Sequence, residues 1–190
     1  MTNNKNRCFG NKPGQELYAD YHDYEWGVLV SDETVLFEML ILEGAQAGLS
    51  WETILKKRGG YRKAFYNFDV EKVSALAGSE LELLCKNPNI IRNRRKIYSA
   101  RQNARVFLKI QKEFGSFANY LKKLVVAAPI KNRWTSSKDV PAQTVESEAI
   151  SKDLKKRGMN FVGPKIIYAY MQSVGLVNDH LLSCWLRVDK

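Results

Sequence analysis

The segment from Phe37 to Trp51 is almost wholly apolar, yet a carboxylate, Glu43, sits in its middle. Read as a helix, Glu43 has Met39 and Leu40 one turn before it and Ala47 one turn after, so it lies on an apolar stripe. Burying a charge there is costly unless something pairs with it. Small residues follow, then Trp51, which is the pattern of a pocket wall with one polar anchor and an aromatic lid. The plainer reading is a helix-face carboxylate whose stem snorkels to water.

The chain of 190 residues suits one domain, and 45% hydrophobic content permits a real core. No apolar run reaches the length of a membrane span. The N-terminal stretch Met1 to Arg7 is polar and lacks the apolar segment of a signal peptide, so a cytoplasmic protein is expected. The net charge of +10 favours a polyanionic partner, nucleic acid or an anionic membrane face. Part of that excess lies in three dense runs, Lys56 to Arg58, Arg92 to Lys96 and Lys155 to Arg157. The first and last precede glycines and fit ordinary helix ends, where cations complement the dipole. Taken together, the three runs tilt toward phosphate contacts.

Periodicity is helical almost throughout. Ser31 to Glu33 caps a helix expected to run to about Leu49. Ser79 to Glu82 is a capping-box pattern opening a helix before Asn87 and Pro88. Further helices are expected over Arg92 to Phe114, Ser116 to Leu124, Val145 to Arg157 and Pro164 to Val174. No segment alternates in the manner of a strand, so the fold is read as all-α. The stretch 127–144, with Pro129 and Pro141, reads as a long loop inside a single domain spanning 1–190.

Four potential metal ligands stand near the chain ends: Cys8 and His22, then His180 and Cys184. On a helix, His180 and Cys184 share one face. Two cysteines and two histidines make a tetrahedral zinc shell with no open position, hence a structural site. A buried thiol and a core histidine by coincidence fit the spacing equally well. The run Lys155 to Lys165 reads as helix, short turn and helix, with Gly158 and Gly163 in the turn and Pro164 opening the second helix. This resembles a helix-hairpin-helix element, whose backbone N–H groups suit a DNA phosphate. An ordinary turn between two helices fits as well.

Together, Tyr18 to Gly27, Leu42 to Trp51, Lys155 to Gly163 and Gly175 to His180 resemble DNA-3-methyladenine glycosylase I, of the helix-hairpin-helix superfamily. The resemblance covers Cys8 to Cys184. It implies a monofunctional glycosylase; a monomer is expected. Such an enzyme flips 3-methyladenine out of double-stranded alkylated DNA and hydrolyses the N-glycosidic bond, leaving an abasic site. It implies structural zinc on Cys8, His22, His180 and Cys184. It makes Tyr21 and Trp51 stacking partners of the base, with Trp26 shaping the pocket. Glu43 becomes the residue that recognises the cationic base; as the site's catalytic carboxylate it fits either a general base for water or a recognition group alone.

By the same resemblance Gln46, Gly48 and Leu49 face the DNA. Leu49 is either the wedge that fills the gap left by the flipped nucleotide or an ordinary core leucine. Gly163 and Lys165 meet the DNA backbone. Bifunctional relatives carry a nucleophilic lysine in this hairpin, but the position of their partner aspartate falls here on Ser183, so Lys165 is read as a phosphate contact. One position departs from the family pattern. Gly10 stands where an aromatic usually lines the pocket, and Phe9 is one residue early. A DNA-binding damage sensor without activity is the competing class, and the complete Tyr21, Trp26, Glu43 and Trp51 set argues against it.

Overall fold

The computed structural model describes residues 5–187, so Met1 to Asn4 of the polar N-terminal stretch lie outside the described residues. Among the described residues nine α-helices follow one another: α1 Glu16–Tyr24, α2 Glu33–Gln46, α3 Trp51–Ala64, α4 Val70–Ala75, α5 Gly78–Leu84, α6 Arg94–Phe114, α7 Phe117–Leu124, α8 Val145–Lys156 and α9 Pro164–Ser173. A 3-10 turn, Tyr66–Phe68, joins α3 to α4. The all-α expectation meets one small exception. Ile130–Lys131 (β1) and Val177–Asn178 (β2) pair in parallel, two residues each. That pairing ties the 127–144 loop to the C-terminal segment.

Helix α2 is the centre of the molecule. Every residue from Leu36 to Ala45 is buried, so the stripe read from the sequence is in fact a helix buried on all sides, with Glu38 paired to Arg58 and Arg62. Asp32 caps its start by accepting the Val35 N–H at 2.9 Å. It stops at Gln46, short of Leu49, and Lys96 caps that end. The Lys96 ammonium donates to the carbonyls of Ala45 at 2.8 Å and Ala47 at 2.6 Å. Around α2 pack α3, α6, α7 and α9, and one core cluster reaches from Tyr21 in α1 to Ile167 in α9.

Several sequence expectations need correction. Gly59 and Gly60 do not end a helix after Lys56 to Arg58; α3 runs through both to Ala64. A Cβ at Gly60 would lie 2.2 Å from the Asn89 carbonyl oxygen, so glycine serves close approach here, not termination. Helix α5 begins two residues early, at Gly78. Its N-cap is Ala77, whose N–H donates to Glu80 at 2.8 Å, so the expected pair of Ser79 and Glu82 is not the one used; Glu82 accepts from Arg94 instead. His180 and Cys184 lie in irregular turns, not on a helix. Asn178 accepts the His180 N–H at 3.2 Å and Leu181 accepts the Cys184 N–H at 2.8 Å, which curls the segment immediately after β2.

The basic runs are largely internal. Arg58 donates to Glu25 and Glu38, Arg94 to Glu82, and Arg157 to Glu113 and Asp153. Lys57 donates to the Pro88 carbonyl and Lys96 caps α2. Each of the three runs therefore contributes to holding the fold, while Lys56, Arg92, Arg95, Lys155 and Lys156 remain exposed.

Candidate active site and metal centre

The exit of α1, the C-terminal half of α2, the first turn of α3 and one face of α9 enclose a pocket of about 280 Å³. Tyr21, Trp26, Glu43, Gln46 and Trp51 all line it, as do Phe9, Gln172 and Asp179, with Ser137 and Val140 of the long loop. Ser50 accepts the Thr53 N–H at 3.2 Å and so starts α3 at Trp51, turning the indole inward. The volume suits a small aromatic ligand.

Glu43 is 3% exposed, and its Oε2 has no hydrogen-bond partner. Burial pushes its carboxyl up to about 8, with Ser173 of α9 pulling weakly the other way. The indole N–H of Trp51 is likewise buried without an acceptor. An orphan acceptor and an orphan donor in one aromatic pocket are what a polar ligand would satisfy. The rings of Tyr21 and Trp51 lie 5.4 Å apart and tilted by 52°. A flat base between two parallel faces needs a ring spacing of about 7 Å, so this geometry offers an edge and a face, and a full sandwich requires one ring to swing.

Phe9 enters the pocket despite its early position. Its ring stacks on Tyr18 at 4.4 Å and meets Trp26 edge-on at 5.0 Å. Gly10 makes this possible: it has φ +76°, and a Cβ there would lie 2.7 Å from the Ala19 nitrogen. Asp179 is the residue that sequence reasoning undervalued. It is buried and accepts from Tyr168 (2.6 Å), Gln172 (2.7 Å), Asn132 (2.8 Å) and Trp134 (2.8 Å). It thereby pins the long loop to α9 at the pocket wall.

Behind the pocket, the ligand atoms of Cys8, His22, His180 and Cys184 lie within 4.8 Å of one another. The Cys184 Sγ is 3.5 Å from both His22 Nε2 and His180 Nδ1, and the Cys8 Sγ is 3.8 Å from His180 Nδ1. Tetrahedral zinc, with bonds of about 2.3 Å to sulfur and about 2.0–2.1 Å to nitrogen, sets such edges near about 3.5 Å. The outward ring nitrogens fit too. His22 Nδ1 donates to Asp23 at 2.9 Å and His180 Nε2 to the Trp26 carbonyl at 3.2 Å, leaving the inward nitrogens as acceptors. Burial holds both imidazoles below their usual range, His180 at about 4, so they are neutral ligands at pH 7. Burial pushes the Cys8 thiol up to about 12, and a cation at the centre is what would draw its proton off. The four residues fit a tetrahedral metal.

On the far side of α2, the turn from Gly158 to Gly163 connects α8 and α9. Its carbonyls point inward: Gln102 donates to Gly158, Asn103 to Asn160 and Ser151 to Val162. The N–H groups of Phe161, Val162 and Gly163 find no acceptor among the described residues. Gly163 precedes Pro164 at the start of α9, and Lys165 is exposed beside it. In the loop after α2, Leu49 is 40% exposed, which removes its reading as a core residue, and Gly48 holds φ +82°.

This architecture has known counterparts. A methyladenine glycosylase family profile matches residues 11–187. DNA-3-methyladenine glycosylase 1 of Escherichia coli K12 is 46% identical over 168 residues, 88% of this chain and 90% of the relative. A crystal structure of 3-methyladenine DNA glycosylase I superposes with a TM-score of 0.91 at 43% identity, covering 96% of this chain and all of the other. A variant of 3-methyladenine DNA glycosylase I solved in complex with 3-methyladenine gives a TM-score of 0.86 at 35% identity, with 91% of each chain covered. With a matched profile running through nearly every element described above, the chain belongs to the methyladenine glycosylase family.

Proposed function

We propose that this protein is a DNA-3-methyladenine glycosylase: it excises 3-methyladenine from alkylated double-stranded DNA, acting as a monomer and leaving an abasic site. The observation that carries the reading is the orphaned, buried carboxyl of Glu43 in an aromatic pocket. Methylation at N3 gives the nucleobase a positive charge. Glu43 in its carboxylate form accepts hydrogen bonds from that base and balances its charge, and neutral adenine offers no such compensation. Tyr21, Trp26 and Trp51 supply ring surface suited to an electron-poor cation.

The reaction is hydrolysis. The bond between C1′ and the base breaks with its electron pair moving onto the base, which leaves neutral. Water adds to C1′ and gives up one proton. The leaving group is already activated by its charge, so the protein's share of the work is extrusion, selection and the exclusion of unmethylated bases. Asp179 and Lys165 form no reactive pair: Asp179 is fully engaged by four donors at the pocket wall, which supports the monofunctional reading.

DNA approaches the side bearing Leu49 and the Gly158 to Gly163 turn. Exposed Leu49, on the loop beyond Gln46 and Gly48, is the wedge. The turn is a helix-hairpin-helix element whose outward N–H groups, with Lys165, hold a phosphate. Cys8, His22, His180 and Cys184 hold structural zinc, which ties segment 5–8 to segment 180–187. When bound, the metal contributes folding energy and no chemistry at the base.

Release of 3-methyladenine from methylated duplex DNA tests the reading. Wild-type protein is expected to release the base far above the spontaneous rate, and Glu43→Gln to lose most of that gain. Wild-type release no faster than the spontaneous rate would overturn the function. An undiminished Glu43→Gln would overturn the role of Glu43 alone.

A further inference from the structure

Beyond the base pocket, a second concave surface lies along α6. It is an open groove of about 380 Å³ whose floor is Arg95, Tyr98, Arg101, Gln102 and Arg105, and whose far wall is Asn160 at the turn before α9. No lining residue is acidic. The closest carboxylate in contact with the floor, Glu82, is taken up by Arg94 and the Tyr98 hydroxyl. Arg58, Arg94 and Arg157 of the basic runs are neutralised by Glu25, Glu38, Glu82, Glu113 and Asp153, whereas Arg95, from the middle run, faces this groove without such a partner among the described residues.

Two of the groove arginines are held in place by one N–H each. Arg101 donates to the Leu76 carbonyl at 2.9 Å and Arg105 to the Ser74 carbonyl at 2.9 Å, both at the C-terminal end of α4. Carbonyls orient a guanidinium without cancelling its charge, and the remaining N–H groups stay available. Arg101 also lies over the Tyr98 ring at 5.7 Å. Arg95 is exposed and carries no acidic partner among the described residues. The result is three cations along one groove, none neutralised by a described carboxylate, with Arg101 and Arg105 oriented in advance.

We propose that this groove binds the sugar-phosphate backbone of the DNA beyond the damaged nucleotide. The inference rests on the glycosylase reading and extends its DNA footprint. The placement fits. Gly44 of α2 contacts Phe161 of the turn, while Glu43, its neighbour about 100° round the same helix, faces the base pocket. Groove and pocket thus lie on different faces of one helix, whose full width is about 10–12 Å. That proximity lets the groove receive phosphates near the flipped nucleotide while its base occupies the pocket. Guanidinium groups on a helix face contact phosphates without reading sequence, which suits an enzyme that must accept any flanking sequence.

The test is DNA binding as a function of salt, with a duplex of about 25 base pairs carrying a stable abasic analogue. Each phosphate contact contributes about 0.9 to the slope of log affinity against log salt. The Arg95→Gln/Arg105→Gln variant is expected to lower the slope by about 1.8, and Arg95→Gln alone, which leaves every described carbonyl contact intact, by about 0.9. Lys122→Gln on α7 serves as the control away from the groove and keeps the wild-type slope. An unchanged slope in both arginine variants, with wild-type melting temperatures, overturns the proposal. Wild-type base release is measured on methylated duplex in parallel, so failure of the glycosylase reading appears there and failure of the groove in the slopes.

Discussion

The charge state of Glu43 makes a pH prediction that can be worked from the structure. Burial places its carboxyl at about 8 in the free protein. At pH 7 only about one molecule in eleven then carries the carboxylate, and at pH 6 about one in a hundred. If the carboxylate form is the one that receives the cationic base, apparent affinity is reduced by that fraction. The second-order rate of base release, kcat/KM, therefore rises about tenfold per pH unit below pH 7 and levels off above about pH 8.5. The methylated base in DNA carries a fixed charge and does not compete for the titration. Burial holds both histidines below their ordinary 6.5, His180 at about 4. Single-turnover release from methylated duplex between pH 6 and 9 reads this directly, with Glu43→Gln as the comparison. The wild-type profile should climb and saturate, and the variant should be slow and flat. A flat wild-type profile between pH 6 and 8, or the same slope in both proteins, would refute the argument.

Three further outcomes follow from the same physical picture. The raised Glu43 carboxyl also bears on stability: the folded state holds a proton that the unfolded chain releases near 4.5, so stability falls as pH rises from about 4.5 to 8. At pH 7 this amounts to about 3 kcal/mol, which Glu43→Gln should largely recover in urea denaturation, its own pH dependence over that window being shallower. The neighbouring glycines of α3 should part company: Gly59→Ala, facing open space, gains up to about 1 kcal/mol, while Gly60→Ala, driven against Asn89, loses stability and lowers Tm. Purified protein should contain one zinc ion per chain by elemental analysis, and Cys184→Ser should abolish it and depress Tm; a metal-free native protein with the same Tm as a zinc-loaded one would remove the structural role.

The site was more legible than the scaffold. Glu43 announced itself because a carboxylate among Met39, Leu40 and Ala47 violates the pattern around it, and its burial was readable from that violation. Cys8, His22, His180 and Cys184 stood out by chemical type, and they converge within 4.8 Å although the helix expected to present the last two does not exist. Their grouping depends on tertiary contacts, which sequence spacing does not encode. Helix α3 was harder to see because Gly59 and Gly60 look like a stop signal, and only the approach of Asn89 explains them. Ser50 and Asp69 are the capping residues that could have revealed the starts of α3 and α4. The internal ion pairs of the basic runs were hidden for a related reason: local charge density says nothing about whether Glu25, Glu38 or Asp153 waits across space. Asp179 had no local signal, since its four donors come from 132, 134, 168 and 172.

The metal cluster and the base pocket share a wall. Phe9 and Tyr21 adjoin Cys8 and His22, while Asp179 and Leu181 flank His180, and all four line the base pocket. A change that loosens the four-residue cluster therefore reaches the pocket as well, even where Glu43 and Trp51 keep their places on α2 and α3. A chain lacking segment 179–184 would hold Glu43 and Trp51 in its helices yet lack that side of the pocket.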